Sequence, residues 1–222
     1  RLKSPKKVVD EMIYFFHNLN LKNFIFRDPV FSIDRKHTIL LCEEIIKSKI
    51  KFNIDIETHL KNIDNELADI FLKSGIKLIY VGVESADEEV KQSAKRWSDE
   101  NDVQIEKINY LEKIGIKIKT MYIIGFPEEN RDKFLKTVDY AIKVNSSYAQ
   151  FSVFTPYPGT PVYKDYEKKI IAKKFEDFNQ WKLVFEHKNF DESSVRNLLD
   201  LAYKKYYLRF SWIKNFFIRK LL

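Results

Sequence analysis

Hydrophobic and polar positions along this chain fall into two rhythms that take turns, one near 3.6 residues and one of 2, and each switch predicts a change of element. The opening stretch SPKKVVDEMIYFFHNLN carries Val8, Val9, Met12, Phe15, Phe16 and Leu19 at helical spacing, with Ser4 placed to cap the helix and Pro5 at its first position. KNFIFRDP follows as a short β-forming run stopped by Asp28 and Pro29, since proline has no N–H to give a strand ladder. A helix is predicted over about 35 to 48, then a strand in the alternating KFNIDIET, then a short helix over 64 to 73 closed by Gly75. Residues 77 to 84 form the next strand, and helical stretches cover about 87 to 94 and 101 to 113, the second ended by Gly115. IKIKTMYIIGFP is a strand stopped by Gly125 and Pro127. A helix at roughly 130 to 144 then leads to YAQFSVFTPYPGT, a strand running into a turn dense in proline and glycine.

Strands that alternate with helices predict parallel pairing through right-handed crossovers, in either a barrel or an open doubly wound sheet. In both arrangements ligands collect at the C-terminal strand ends. Those ends carry Asp28, Glu57 with His59, Glu84 with Ser85, Gly125 with Glu128, and Pro156 to Thr160. Past residue 162 the alternation stops. A mixed, aromatic-rich segment and the helix-like run that opens at DESS are expected to form a C-terminal extension, 163–222, on a strand–helix domain spanning 1–162. The stretch from Tyr206 to Arg219 holds too many charges to span a bilayer, so its two readings are packing on another domain and peripheral contact with a membrane surface.

Composition narrows this picture. With 222 residues, 45% hydrophobic and 32% charged, the chain suits one sizeable globular core. The formal charge of +7 comes from lysines spread over nearly every segment, which reads as a solvated surface, and nucleic-acid binding is not expected. The single cysteine, Cys42, shares a predicted helical face with Leu40, Leu41 and Ile45 and is expected to be a buried small apolar residue. Alone it holds neither zinc nor an iron–sulfur cluster, and it cannot form a disulfide within the chain, which fits a reducing cytoplasm. No metal ligands are assigned. Glu57 and His59 at period-two spacing, with Glu84, would suit a metal hydrolase, but no second histidine lies at a strand end.

Four segments, IFRDPVFSID, IETHLKNIDNELADIFLKSGIKLIYVGVESADEEVKQSAKR, LEKIGIKIKTMYIIGFPEE and FTPYPGTPVY, together resemble radical S-adenosylmethionine enzymes in order and spacing. The likeness covers about residues 1 to 165 and is strongest to the branch often fused to an N-terminal cobalamin-binding domain; the tail LAYKKYYLRFSWIKNFFIRKLL is similar to that branch's C-terminal helices. The resemblance implies an α/β fold, a partial (β/α) barrel with five of the family's six strands present. It also implies a CxxxCxxC loop whose thiolates hold a 4Fe–4S cluster, S-adenosylmethionine bound to that cluster, and a 5'-deoxyadenosyl radical that abstracts hydrogen from a small-molecule substrate. Flavodoxin or ferredoxin would supply the electron, and cobalamin would serve methyl transfer or rearrangement. Matching RLKSPKKVVDEM to the family places the cluster loop and first strand upstream of Arg1, so the expectation is a truncated enzyme, inactive as it stands. The alternative is a non-catalytic barrel module that has lost its cluster.

The same resemblance assigns cofactor contacts. Asp28 matches an acidic position near the methionine amino group, against an ordinary Asp-Pro turn. Glu84 matches the polar residue that meets the ribose or amino-acid part, against a helix-start carboxylate; Ser85 is either its neighbouring contact or a cap. Ile123, Gly125 and Glu128 match the GxIxGxxE element near the adenine, with Met121 standing where the first glycine would be. Thr155 and Tyr157 match the last-strand loop, against a rigid turn, and Glu57 joins the set from the rim. Lys95 and Arg96 match a basic position near the cofactor carboxylate, against solvated helix-end charge.

Overall fold

The computed structural model describes residues 2–93 and 101–221, so Lys95 and Arg96 lie outside the described residues. Its elements run α1 (Pro5–Leu19), β1 (Asn23–Ile25), α2 (Arg35–Lys47), β2 (Asn53–Glu57), α3 (Asn65–Ser74), β3 (Ile76–Glu84), α4 (Glu88–Ser93), α5 (Asn101–Lys113), β4 (Lys117–Ile124), α6 (Arg131–Val144) and β5 (Tyr148–Val153), followed by α7 (Pro161–Tyr166), α8 (Glu192–Tyr207) and α9 (Phe210–Leu221). The strands form one five-stranded sheet in the order β1-β2-β3-β4-β5. β1–β2 and β2–β3 pair in parallel, with Phe24 opposite Ile54 and Glu57 opposite Tyr80. This is the strand order of an α/β partial barrel, with each crossover made by a helix.

The predicted cap at Ser4 holds: its hydroxyl accepts from the Lys7 amide and Pro5 opens α1. Asp34, Asp64 and Asn130 cap α2, α3 and α6 in the same way, which the pattern does not mark. The chain forms two compact units, Arg1–Gly82 with Asp99–Thr120 and Ser146–Tyr148, and Val83–Ser98 with Met121–Asn145 and Ala149–Leu222. The 163–222 segment falls within the second.

In the first unit α1 packs on α2 and α2 on α3. Cys42, Ile54, Phe71, Ile76 and Ile79 are fully buried. Phe52 sits edge-on to Phe16 and to Phe24. Gly75 is required here: its φ is +91°, and a Cβ would stand 2.5 Å from the Phe52 carbonyl oxygen. The Glu112 carboxylate on α5 accepts from the amides of Ile118 and Ser147, tying the starts of β4 and β5 to one helix. Three apolar expectations fail at the edges. Phe15 and Leu19 are exposed because α1 buries only Val9 and Met12, and Leu40 is 52% exposed because it lies off the Leu41–Cys42–Ile45 stripe.

The second unit is built on aromatics. Tyr122 stacks on Phe151 at 5.2 Å, and Phe134, Tyr203 and Tyr206 meet Phe151 edge-on. α8 also closes the free edge of β5. The Tyr207 hydroxyl accepts from the Ala149 amide and donates to the Ala149 carbonyl, Tyr203 does the same at Phe151, and the Val153 amide donates to the Gln180 carbonyl. Spacing of four along the helix matches spacing of two along the strand. The predicted single helical run after DESS is two helices, broken at Leu208, where Arg209 turns back to donate to the Tyr206 and Ile142 carbonyls.

Candidate functional site

Alternation along the strands leaves one sheet face unlike the other. Ile54 and Ile56, then Ile79, Val81 and Val83, then Ile118, Thr120, Tyr122 and Ile124 are buried. The intervening Asp55 and Glu57, Tyr80, Gly82 and Glu84, Lys119, Met121 and Ile123 are half-buried or exposed. A parallel sheet covered on both faces reads as continuous apolar runs. Here Asp55, Glu57, Tyr80, Glu84 and Lys119 interrupt the apolar pattern.

In the first unit that face carries Asp55, Tyr80 and Lys119. The Tyr80 hydroxyl donates to the Asp55 carboxylate, and the Lys119 ammonium lies 5.1 Å from the Tyr80 ring centroid. Burial pushes the Asp55 carboxyl up against the opposing Tyr80 hydrogen bond, pushes Tyr80 up, and pushes Lys119 down. Each change favours the neutral form. Attention to strand tips missed this trio, although the period-two pattern carries its signal. Glu57 is half-buried on the same face, and its carbonyl accepts from the Phe31 amide at 2.8 Å. Asp28 is exposed in the loop after β1, and His59 is exposed beyond β2. Cys42 is fully buried, and burial pushes its thiol up to about 11.

In the second unit the decisive feature is Glu84. It is half-buried with φ of +67°, and the Ser85 amide donates to the Val83 carbonyl at 2.9 Å, closing a three-residue turn around it. That turn with positive φ is the rare, strained form, costing on the order of 1–3 kcal/mol for a residue other than glycine. Its surroundings hold it in place. Ser85 is fully buried, its hydroxyl 3.1 Å from the Thr137 hydroxyl and accepting from the Asp87 amide, while the Ala86 amide donates to Thr137. The Ser85 hydroxyl is engaged within the protein, and the residue that caps α4 is Asp87, whose carboxylate accepts from the Val90 amide.

The loop after β4 is equally determined, through a residue the motif match passed over. Glu129, next to the predicted Glu128, is fully buried, and one of its oxygens accepts from the Gly125 amide at 2.6 Å. Its other oxygen has no hydrogen-bond partner. Its amide donates to the Phe126 carbonyl, which also accepts from His187 Nε2, while His187 Nδ1 accepts from the Asn189 amide, so the imidazole is fixed as the Nε2–H tautomer. Burial pushes Glu129 up to about 8, against the pull of the Gly125 and Phe126 amides. Gly125, with φ of +86°, therefore has its N–H occupied, leaving van der Waals contact from this loop and from half-buried Ile123. Glu128 is exposed and paired with Lys188, which holds its carboxyl below the usual range. The Thr155 hydroxyl donates to Val153, and the Tyr157 carbonyl accepts from Thr160, so both belong to the construction of the Pro-Gly turn. Among the described residues no group of three or more His, Cys, Asp or Glu is placed to hold a metal ion.

The profile of the Radical SAM superfamily matches residues 1–141. The chain belongs to that superfamily. It is 24% identical over 93% of its length to 45% of an uncharacterized methyltransferase of Pyrococcus horikoshii. It is 25% identical over 93% of its length to 46% of the bacteriochlorophyllide d C-12(1)-methyltransferase of Chlorobaculum tepidum. The chain thus spans about half the length of these curated relatives. Among solved structures, the radical S-adenosylmethionine methyltransferase TsrM of Kitasatospora setae, with cobalamin and a [4Fe-4S] cluster bound, superposes with a TM-score of 0.65 at 19% identity over 75% of this chain and 32% of that one. Coproporphyrinogen III oxidase of Escherichia coli gives 0.58 at 14% identity over 91% and 46%. These two likenesses carry the radical SAM fold alone. The strained Glu84 and the loop locked by Glu129 are where this radical SAM chain commits its strand ends.

Proposed function

We propose that this chain is the S-adenosylmethionine-binding part of a radical SAM enzyme that acts on a small molecule, by methyl transfer or rearrangement with cobalamin, the first of these being the activity of the methyltransferases it resembles. The observation that carries the reading is Glu84, a half-buried carboxylate held in a strained turn at the end of β3. Strain of this kind persists where surrounding structure over-determines it, and here Ser85, Ala86 and Asp87 do so through Thr137. A carboxylate at this position can accept two hydrogen bonds from vicinal ribose hydroxyls. In the same unit Ile123 would lie against the adenine, and Thr155 and Tyr157 would line the outer loop. Bound there, S-adenosylmethionine supplies the sulfonium and the adenosyl group.

The residues present do not fit a 4Fe–4S cluster. Such a cluster takes three or four thiolates, and this chain has one cysteine, buried, with its thiol pushed up to about 11. That single buried cysteine favours a second reading of the chain taken by itself, a nucleoside-binding module without radical chemistry. Titration calorimetry separates these statements. S-adenosylmethionine or S-adenosylhomocysteine should bind, and Glu84→Ala should weaken binding by about tenfold, a charge-assisted hydrogen bond's worth. Binding of neither nucleoside sinks the site. With S-adenosylmethionine and dithionite under anaerobic conditions the chain alone should release no 5'-deoxyadenosine, and its release would overturn the cysteine argument.

A further inference from the structure

The C-terminal helix has two apolar faces and one cover. Trp212 and Phe216, four residues apart, stack on each other at 5.2 Å, and Trp212 meets Tyr207 edge-on at 4.7 Å, so this face is used within the unit. Phe210, Ile213 and Phe217 repeat at spacings of three and four, which places them on a separate stripe of α9. They are 80%, 37% and 60% exposed, and Leu208 just before the helix is 69% exposed. Scattered exposed apolar residues need no account, but a continuous stripe of this size marks a contact surface.

Charge decides which contact. From Leu201 to Leu222 the sequence holds six lysines and arginines and no aspartate or glutamate. Arg209 is engaged at the helix junction, with its guanidinium over the Tyr206 ring at 4.4 Å. Lys214 is exposed beside the Phe210–Phe217 stripe and forms no ion pair among the described residues. An apolar aromatic stripe flanked by cations, in a run of sequence without aspartate or glutamate, is complementary to anionic headgroups above an acyl boundary, the combination by which amphipathic helices lie in a membrane interface. No helix among the described residues is long and apolar enough to cross a membrane, which fits an in-plane helix. We propose that α9 docks this chain on an anionic phospholipid surface through Phe210, Ile213 and Phe217, with Lys214 at the headgroups.

The test uses the full 222-residue chain, co-sedimented with vesicles of phosphatidylcholine containing phosphatidylserine and with vesicles of phosphatidylcholine alone, with tryptophan emission followed in parallel. Binding is expected to the anionic vesicles, to fall as salt is raised, and to drop roughly thirtyfold in Lys214→Glu, which changes the surface charge by two. Phe210→Ser with Phe217→Ser should abolish it, with circular dichroism and melting temperature unchanged because both side chains are exposed. Lys205→Glu, on α8 and away from the stripe, controls for general charge. Absence of binding to anionic vesicles, or equal binding by the double serine variant, overturns the proposal. Concentration-dependent self-association in sedimentation velocity that the serine variant removes would assign the stripe to a second copy instead.

Discussion

Glu129 makes the stability of this protein depend on pH in a direction opposite to that of most carboxylates. It is fully buried, and burial raises its pKa from 4.5 to about 8. Between those two values the folded state keeps a proton that the unfolded chain releases, so stability falls as pH rises through the window and is level above it. A gap of about 3.5 pH units at 1.36 kcal/mol each gives an upper figure of roughly 5 kcal/mol, a third or more of the 5–15 kcal/mol that holds a typical domain together. Glu129→Gln removes the titration and keeps the shape. The glutamine oxygen still accepts from the Gly125 amide, and its NH2 takes the position of the oxygen that has no partner. Near pH 5.5 the variant should match the parent to within about 1 kcal/mol, since a neutral glutamic acid leaves a polar group equally unpaired there. At pH 8.5 it should be the more stable by several kcal/mol. Urea unfolding of both proteins across this range is the assay. His187, whose pKa is lowered by burial, contributes stability that is lost as pH falls below its unfolded value of 6.5, and taking the difference between parent and variant cancels it. Parallel stability curves for the two proteins would refute the claim that a buried, proton-bearing Glu129 locks the loop after β4.

Gly75→Ala should cost about 2–4 kcal/mol by urea midpoint, because a Cβ would meet the Phe52 carbonyl oxygen at 2.5 Å with φ at +91°, whereas Gly159→Ala, with φ of +86° and nothing within 4 Å, should cost only about 1 kcal/mol. Equal costs would refute the close-approach argument. Glu84→Gly should relieve turn strain and stabilise the fold by about 1 kcal/mol while weakening nucleoside binding in the calorimeter, a split that a merely structural carboxylate would not produce. Tyr203→Phe with Tyr207→Phe removes both hydroxyls that meet β5; the double variant should lose about 2–4 kcal/mol in urea unfolding, and hydrogen exchange at the Ala149 and Phe151 amides should rise with it.

The order of elements was legible because period-two and helical stripes are imposed by burial, and α2, α3, α5 and α6 lie within a residue or two of the ranges the pattern predicts. What the pattern could not show is which neighbour covers a stripe, so Phe15, Leu19 and Leu40 pass for core and are exposed. Of the candidate site, the strand ends are where the motifs place them, but their side chains differ in freedom. Ser85 and Thr155 hydrogen-bond within their own loops, while Glu84 and Ile123 are half-buried at the ends of β3 and β4. Glu129 was passed over because two adjacent glutamates look alike in sequence, and only the turn at Phe126 decides which one is drawn inside.

The phenol ladder on β5 fixes where this sheet can grow. Backbone groups at Ala149, Phe151 and Val153 already have partners from Tyr207, Tyr203 and Gln180, so no foreign strand can bind there without stripping three neighbours away. β1 is three residues long, with Asn23 and Ile25 exposed, and among the described residues no tyrosine hydroxyl is recorded on its backbone. Any additional strand, whether from this polypeptide or another, is thereby steered to the β1 margin, and the fold carries a direction of extension written in two tyrosines.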